Sequence, residues 1–208
     1  MDKRTSDYWN SVAEKSHGGK QAYLIENVWK RQAQVSRLLQ NDFFGKNVLE
    51  VGCGNALIAA TINMLLMGNW NYIGTDISSK FCWFAKKNWG LTSLQLDFTE
   101  LQHLHCKVET SFDYIWFFDV LEHICADEMN RGFEHINELL APSGKIVINN
   151  PSPSNPNYHH RDFEFGFDEV DLEVLLDTVC GRVIHKEPYS IKCKDQNLSY
   201  EWIVVERK

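Results

Sequence analysis

The 208-residue chain is 44% hydrophobic and contains 12 phenylalanines, so it can close one substantial core, and we expect a single domain over residues 1–208. Its formal net charge of −7 creates no overall field that attracts a polyanion, which disfavours nucleic acid as a partner. The sequence has no apolar run long enough for a bilayer span, and its six cysteines form no C-x-x-C pair, so we expect a soluble, cytoplasmic protein with reduced thiols.

Short apolar runs rich in β-branched residues alternate with longer amphipathic stretches along the chain. This alternation is typical of βα units that wind a mostly parallel sheet, which predicts a doubly wound α/β fold. Residues 1–44 are predicted to form a helical cap and residues 45–208 the α/β core. The predicted helices cover residues 19–40, 56–67, 78–89, 126–140 and 168–179. The seven predicted strands cover residues 47–51, 72–75, 93–96, 114–118, 145–149, 182–186 and 200–205.

Residues at the ends of these elements indicate where several of them begin and end. Ser78 and Asp168 each precede an apolar-periodic run and are expected to be helix N-caps. Residues 141–144, with the sequence Ala-Pro-Ser-Gly, are predicted to form a turn between a helix and the next strand. Residues 150–166 form a long irregular segment, and such a segment in a compact domain often has a functional role.

The strongest chemical signal is the sequence Val-Leu-Glu-Val-Gly-Cys-Gly-Asn-Ala, which starts at Val48 and runs from a strand through a glycine loop into a helix. Gly52 and Gly54, on either side of Cys53, allow a ligand to approach the backbone closely, which indicates a nucleotide-type pocket. A dinucleotide site would require Gly or Ala where Leu57 stands. Glu50 places a carboxylate near the pocket floor, where it favours a cationic ligand over a pyrophosphate.

Carboxylates also follow the next three predicted strands. Asp76, followed by Ile77, stands about twenty residues after the glycine loop, at the position from which an acid can hold both hydroxyls of a ribose. Asp97 and Phe98 could bind the exocyclic amine and the face of an adenine. Asp119 ends the fourth strand, at the sheet edge where open α/β folds bind ligands.

Together these strand ends resemble the class I S-adenosylmethionine-dependent methyltransferases, particularly the group that includes ubiquinone and menaquinone biosynthesis enzymes and many small-molecule methyltransferases. The resemblance covers about residues 47–150 and implies S-adenosylmethionine as the cofactor. It also implies a seven-stranded sheet whose last strand is antiparallel, under an N-terminal cap that includes Tyr8 and Trp9. By position, the glycine loop faces the methionine part, the acid after the second strand holds the ribose, and the acid after the third strand contacts the adenine. The predicted cofactor site comprises Glu50, Gly52, Cys53, Gly54, Asp76, Ile77, Asp97, Phe98 and Asp119.

Methyl transfer from a sulfonium is an in-line displacement that needs no covalent enzyme nucleophile. An oxygen acceptor usually has to lose a proton, so a nearby base accelerates the reaction by about 10²–10⁴-fold. His123 is the first candidate for this base, since it closely follows the fourth strand and its ordinary pKa lies near neutrality. His159 and His160 are the second candidates. The expected acceptor is the oxygen or nitrogen of a small molecule.

Other interpretations remain open at this point. Asp76 and Asp97 could be helix caps, and His123 could simply satisfy a buried hydrogen bond. The sequence Glu122-His123, combined with the later histidines, loosely resembles the metal-dependent family that methylates the ends of small RNAs. That family has Glu where this chain has Asp119, so we expect no metal. A third possibility is a non-catalytic subunit that keeps the fold and only scaffolds another protein.

Overall fold

The computed structural model describes residues 5–17, 21–108, 111–152, 172–193 and 196–207. His159, His160 and the expected N-cap Asp168 lie outside these ranges. The helices are α1 (Ser6–His17), α2 (Gln21–Leu38), α3 (Leu57–Leu65), α4 (Ser79–Trp89), α5 (Ala126–Leu139) and α6 (Leu172–Val179), with 3-10 helices at Phe98–Cys106 and Leu121–His123. The strands are β1 (Asn47–Val51), β2 (Asn71–Asp76), β3 (Ser93–Gln95), β4 (Phe112–Phe118), β5 (Leu140–Pro151), β6 (Gly181–Cys193) and β7 (Gln196–Arg207).

The seven strands form one sheet in the order β3-β2-β1-β4-β5-β7-β6. Strands β1 to β5 are mutually parallel where they pair, and β7 runs antiparallel to both β5 and β6. The predicted fold, including the antiparallel last strand, is therefore confirmed. The strand order reverses between β1 and β4, and open α/β sheets bind ligands outside the carboxyl ends of the strands at such a point.

Side chains on the two faces of the sheet form two hydrophobic clusters. Successive residues of β4 point to opposite faces, as the strand period requires. Phe117 packs with Phe133 of α5 in one cluster, whereas Trp116 packs with Phe43 in the other. Because both faces of β4 are covered, the strand is apolar or aromatic except for Asp113 near its amino end, and the next charged side chain is Asp119 after its carboxyl end.

Helix α4 begins and ends at the residues that its sequence indicates. Ser78 is the N-cap, as predicted, and its Oγ accepts a hydrogen bond from the Phe81 amide at 3.2 Å. Gly90 closes the helix in the left-handed conformation, with φ of 68°. The cap therefore fixes the start of α4 directly behind the carboxyl end of β2.

The predicted turn at residues 141–144 is instead a bulge inside β5. Leu140 pairs with Phe112 and Lys145 pairs with Tyr114, so four residues of β5 stand opposite one residue of β4. Ser143 adopts a left-handed conformation with φ of 62°. The Pro-Ser-Gly chemistry breaks the ladder locally, as expected, but strand pairing resumes on both sides of it.

The hairpin of β6 and β7 is longer than the sequence predicted. The prediction placed β6 at residues 182–186, around the two β-branched residues Val183 and Ile184. β6 is an edge strand that pairs with β7 alone among the described strands, and most of its side chains are exposed. A polar edge strand of this kind carries little hydrophobic signal.

The N-terminal cap consists of two helices, of which α1 was not predicted. Helix α1 packs against α4, and Asn10 Oδ1 accepts hydrogen bonds from Ser78 Oγ at 2.8 Å and from the Lys80 amide at 3.1 Å. Lys80 also forms an ion pair with Glu14 of α1. None of the helices within the described ranges combines the length and the apolar character that crossing a bilayer requires.

Candidate cofactor site

The carboxyl ends of the central strands open into a cavity of about 550 Å³. Helices α1 and α2 cover it with side chains that include Tyr8, Trp9, Lys30 and Arg31. The structure brings all nine predicted cofactor residues and His123 to this one cavity. Those ten residues are Glu50, Gly52, Cys53, Gly54, Asp76, Ile77, Asp97, Phe98, Asp119 and His123.

The glycine loop contains three left-handed positions at alternate residues, which are Gly52, Gly54 and Ala56. Gly52 has φ of 67° and Gly54 has φ of 53°, conformations in which a side chain is strained. A Cβ atom at Gly52 would also lie 2.3 Å from a γ-carbon of Val120. Ala56 occupies the third position with φ of 53°, immediately before α3 begins. The loop can therefore present bare backbone to the cavity only because Gly stands at position 52.

Glu50 is a buried acid on the cavity floor. Its Oε2 accepts a hydrogen bond from the Tyr72 hydroxyl at 2.6 Å, and 3% of the residue is exposed. Burial raises the pKa of Glu50 from 4.5 to about 7, although the Tyr72 hydrogen bond and the charge of Arg31 act in the opposite direction. The folded protein without a ligand therefore disfavours the Glu50 carboxylate, and a cation beside it would reverse that preference.

Asp76 connects the glycine loop to the start of α4. Its Oδ2 accepts a hydrogen bond from the Gly54 amide, and its Oδ1 accepts one from the Ser78 amide, both at 2.8 Å. Burial raises the pKa of Asp76 from 3.8 to about 6, against the effect of these two hydrogen bonds. The helix-cap alternative for Asp76 is wrong, because Ser78 is the N-cap of α4; Asp76 instead stabilises the backbone at Gly54 and Ser78 and lines the cavity.

Cys53 supports the loop from below. Its Sγ lies 3.3 Å from Ser93 Oγ, and burial raises the pKa of the thiol well above its ordinary value. A Cβ at Gly74 would come within 2.7 Å of both Cys53 Sγ and the Tyr72 hydroxyl. The thiol is therefore packed in its neutral form, which suits a structural role and not a nucleophilic one.

Asp97 and Phe98 form the β3 side of the cavity. Asp97 is the N-cap of the following 3-10 helix, and its Oδ1 accepts hydrogen bonds from the Thr99 amide at 2.8 Å and from Thr99 Oγ1 at 2.7 Å. The Phe98 ring packs edge-to-face against Phe117 and Phe133, so most of it belongs to the core and 9% of the residue is exposed. The capping alternative for Asp97 therefore holds beside its position on the cavity wall.

Asp119 follows β4 in the left-handed conformation, with φ of 58°. Its Oδ2 lies 2.9 Å from Lys30 Nζ and accepts a hydrogen bond from Gln34 Nε2 at 3.3 Å, so both contacts come from α2. Asn149 Nδ2 donates to Oδ1 at 3.4 Å. Asp119 thus connects the cap to the carboxyl ends of β4 and β5.

His123 lies at the end of the 3-10 helix that follows β4, on the cavity wall. Its ring centroid is 5.1 Å from that of Trp9, and its Nε2 is 3.9 Å from Glu122 Oε1. The residues that the structure describes contain no group of three or more His, Cys, Asp or Glu side chains that could hold a metal ion. Asp119, Glu122 and His123 do not form such a group among themselves.

The sequence did not predict that basic residues of α2 would line the site. Lys30 and Arg31 line the cavity from α2, and Tyr189 of β6 donates a hydrogen bond to Asn149 Oδ1 at 2.5 Å behind Asp119. A helical pattern shows which residues of α2 share a face, but it does not show which strand ends that face covers. The consecutive basic residues at positions 30 and 31 were the only signal in the sequence.

Comparisons with known proteins agree with this geometry. Residues 49–146 match a family model described as a methyltransferase domain. A search of the curated proteins gave no match. The chain is similar to the magnesium protoporphyrin IX methyltransferase from Synechocystis PCC 6803 with bound S-adenosylhomocysteine, with a TM-score of 0.73, 15% identity and 97% coverage of each chain.

Two further solved structures have the same fold. One is the N-methyltransferase NodS from Bradyrhizobium japonicum WM9 in complex with S-adenosylhomocysteine, with a TM-score of 0.65, 17% identity and 86% coverage of each chain. The other is the 1,6-didemethyltoxoflavin-N1-methyltransferase from Burkholderia thailandensis, with a TM-score of 0.64 and 17% identity over 95% of this chain and 88% of that chain.

The strand order, the glycine loop and the acid-lined cavity define a class I, Rossmann-like methyltransferase fold. More particularly, residues 49–146 match the methyltransferase-domain model, and a similar solved structure contains bound S-adenosylmethionine. The fold predicted from the strand ends is confirmed, and the matched model and the ligands of the similar structures agree with the predicted class and cofactor.

Proposed function

We propose that the protein transfers the methyl group of S-adenosylmethionine to an oxygen or nitrogen atom of a small-molecule acceptor. The observation that supports this most is the convergence of Glu50, Asp76, Asp97 and Asp119, from four neighbouring strand ends, on one cavity beside bare glycine backbone. Buried acids with raised pKa values suit a ligand that carries positive charge, and a sulfonium with an α-ammonium group is such a ligand.

Each residue of the predicted site then has a role in holding the cofactor. The backbone around Gly52, Cys53 and Gly54 would lie against the methionine part, with Glu50 beneath it. Asp76, with Ile77, would hold the ribose, while Asp97 would accept the adenine amine through the oxygen that does not cap the helix. Phe98 has a small exposed part that would border the adenine.

In the proposed reaction, the chain aligns the acceptor and removes its proton. When bound, S-adenosylmethionine supplies a methyl group that the acceptor's lone pair displaces in line from the sulfonium. His123 would take the acceptor proton, because its imidazole lies on the cavity wall and 25% of its side chain is exposed. Helices α1 and α2 would exclude water, with Trp9 covering His123. His159 and His160 remain second candidates for the base.

Proteins of similar structure support a small acceptor. They act on magnesium protoporphyrin IX and 1,6-didemethyltoxoflavin, and one of them is an N-methyltransferase. The RNA alternative would need a metal site and a basic surface, and neither the described residues nor the net charge of −7 favours them. A scaffold without cofactor binding is disfavoured by the intact glycine loop.

Calorimetry with S-adenosylhomocysteine tests the proposal. We expect micromolar binding that Asp76→Ala weakens strongly, while Asp113→Ala, outside the cavity, leaves it unchanged. A wild-type protein that is folded but binds neither S-adenosylmethionine nor S-adenosylhomocysteine would refute the proposed function. Activity on a small RNA that depends on added magnesium or manganese would favour the RNA alternative instead.

A further inference from the structure

The contact between Lys30 and Asp119 crosses the boundary between the cap and the core. Lys30 Nζ lies 2.9 Å from Asp119 Oδ2, and the exposed fractions of the two side chains are 16% and 17%. Lys30 Nζ also lies 5.6 Å from the centre of the Tyr200 ring. Both residues line the cofactor cavity, so this ion pair stands inside the site and not on the outer surface.

Asp119 is held in place independently of Lys30. Gln34 donates to Oδ2 and Asn149 donates to Oδ1, and the Asp119 amide donates to the Asn149 carbonyl at 2.9 Å. Tyr189 in turn fixes Asn149 with a hydrogen bond of 2.5 Å. The carboxylate would therefore keep its position if another cation replaced the lysine.

Asp119 also lies beside the glycine loop, which in the proposed function would face the methionine end of the cofactor. Strands β1 and β4 are paired, with Val51 opposite Phe117, so the residues after them run side by side. Gly52 fits against Val120, the residue that follows Asp119, so closely that a Cβ would clash with it. Of the described residues that line the cavity, the two with permanent positive charge are Lys30 and Arg31, both on α2.

A contact of this kind is easily exchanged. A lysine ammonium is a compact point charge on a flexible stem, and an α-ammonium group offers the same three donors to a carboxylate. A partly buried ion pair contributes little net stability, because desolvation offsets most of the attraction. Replacing one ammonium group by another at Asp119 therefore has a small net cost.

We propose that Lys30 occupies the position of the cofactor's α-ammonium group in the free protein, and that this ammonium displaces Lys30 from Asp119 when the cofactor binds. The inference rests on the proposed function and adds a competition between a cap residue and the ligand. No covalent step is involved. Lys30 is then a residue whose removal improves binding, whereas Asp119 is one whose removal weakens it.

The test compares two ligands that differ at the methionine end. S-Adenosylhomocysteine carries the α-ammonium group, whereas 5′-methylthioadenosine has the same adenosine and thioether without it. Calorimetry would measure both ligands with wild type, Lys30→Met, Asp119→Asn and the double variant. Asn tolerates the left-handed conformation of position 119, so the fold should be kept, and circular dichroism would verify this. Arg37→Met is the matched control, because Arg37 lies on α2 outside the cavity and pairs with Glu187 at 2.7 Å.

For S-adenosylhomocysteine we expect about tenfold tighter binding by Lys30→Met and at least about tenfold weaker binding by Asp119→Asn. In the Asp119→Asn background, Lys30→Met should give no improvement. Affinity for 5′-methylthioadenosine should change less than about twofold in all variants, because this ligand does not reach Asp119.

Weaker binding of S-adenosylhomocysteine by Lys30→Met would overturn the competition. Equal losses for both ligands in Asp119→Asn would overturn the ammonium assignment, and a gain by Arg37→Met as large as that by Lys30→Met would attribute the effect to a loosened helix. If the wild-type protein binds neither ligand, the proposed function itself fails, which is a different result from any of these.

Discussion

The replacement of Glu50 by glutamine should make the protein more stable and bind its cofactor less well. Glutamine keeps the size of the side chain and an oxygen that can accept the hydrogen bond from Tyr72, but it carries no charge at any pH. The buried carboxylate of Glu50 is unfavourable in the free protein, so its removal should be a gain there. With a cationic ligand in the cavity the same removal should be a loss.

The magnitude and its pH dependence follow from the raised pKa. A change in the pKa of Glu50 from 4.5 in the unfolded chain to about 7 in the folded protein corresponds to about 3 kcal/mol. The folded protein binds this proton more tightly than the unfolded chain does, so the free energy of unfolding of the wild type falls as the pH rises from about 4.5 to about 7. We therefore expect Glu50→Gln and wild type to be about equally stable near pH 4.5. The variant should be more stable by up to about 3 kcal/mol at pH 8.

Urea denaturation of the ligand-free proteins at pH 5 and pH 8 measures this difference, and calorimetry with S-adenosylmethionine at pH 8 measures the loss of affinity. Comparing the variant with the wild type at each pH removes the contribution of titrating groups that do not interact with Glu50, whereas Asp76 does interact with it. A Glu50→Gln protein that is less stable than wild type at both pH values would refute the reasoning, because the carboxylate would then be needed for the fold. Unchanged affinity would refute its role toward the ligand.

Three further substitutions probe the loop, the cap and the base. Gly52→Ala should abolish cofactor binding and lower the free energy of unfolding by about 2 kcal/mol or more, because the new Cβ would clash with Val120 and the position is left-handed. In urea denaturation, adding Val120→Ala should recover the part of the stability lost to the clash, whereas the part lost to backbone strain should remain. Ser78→Ala should lower the free energy of unfolding by about 1 kcal/mol through the lost N-cap, and weaken cofactor binding through the lost hydrogen bond to Asn10. The control is Ser79→Ala, because Ser79 Oγ lies 3.4 Å from the same Asn10 oxygen; it should have little effect on stability or on binding. His123→Gln should lower kcat by about 10²-fold or more while the affinity for S-adenosylhomocysteine stays within about twofold, and unchanged turnover would remove His123 from the mechanism.

Local chemistry explains why the strand ends were predictable. Gly52 and Gly54 are needed where the backbone turns left-handed, and the residues before them form a buried strand with a recognisable apolar run. Ser78 caps α4 through a hydrogen bond within three residues, so its role can be inferred from its neighbours alone. Parallel strands then bring such ends to one edge of the sheet, which is why residues from Glu50 to Asp119 meet at one cavity.

Contacts between distant segments were not predictable in the same way. Lys30 meets Asp119 across 89 positions of the chain, and Tyr189 meets Asn149 across 40. These pairs depend on how α2 crosses the sheet and on the length of an edge hairpin whose polar strand gives little hydrophobic signal. The bulge at residues 141–144 was unpredictable for the same reason. Its turn residues can be recognised locally, but the pairing of Leu140 with Phe112 joins distant parts of the chain.

The charges on the two sides of the cavity, acidic on the core and basic on the cap, favour one orientation of the ligand. Acids stand on the core side at Glu50, Asp76 and Asp119, and the cations Lys30 and Arg31 stand on the cap side. A zwitterionic methionine end would fit such a cleft in one orientation, with its ammonium in place of Lys30 at Asp119 and its carboxylate toward Arg31. Because burial raises the pKa values of Glu50 and Asp76 in the free protein, their charged forms are unfavourable until a proton or a positively charged ligand neutralises them. An apolar lining would give a more stable protein, so the retention of buried acids at successive strand ends is itself an argument for a cationic cofactor.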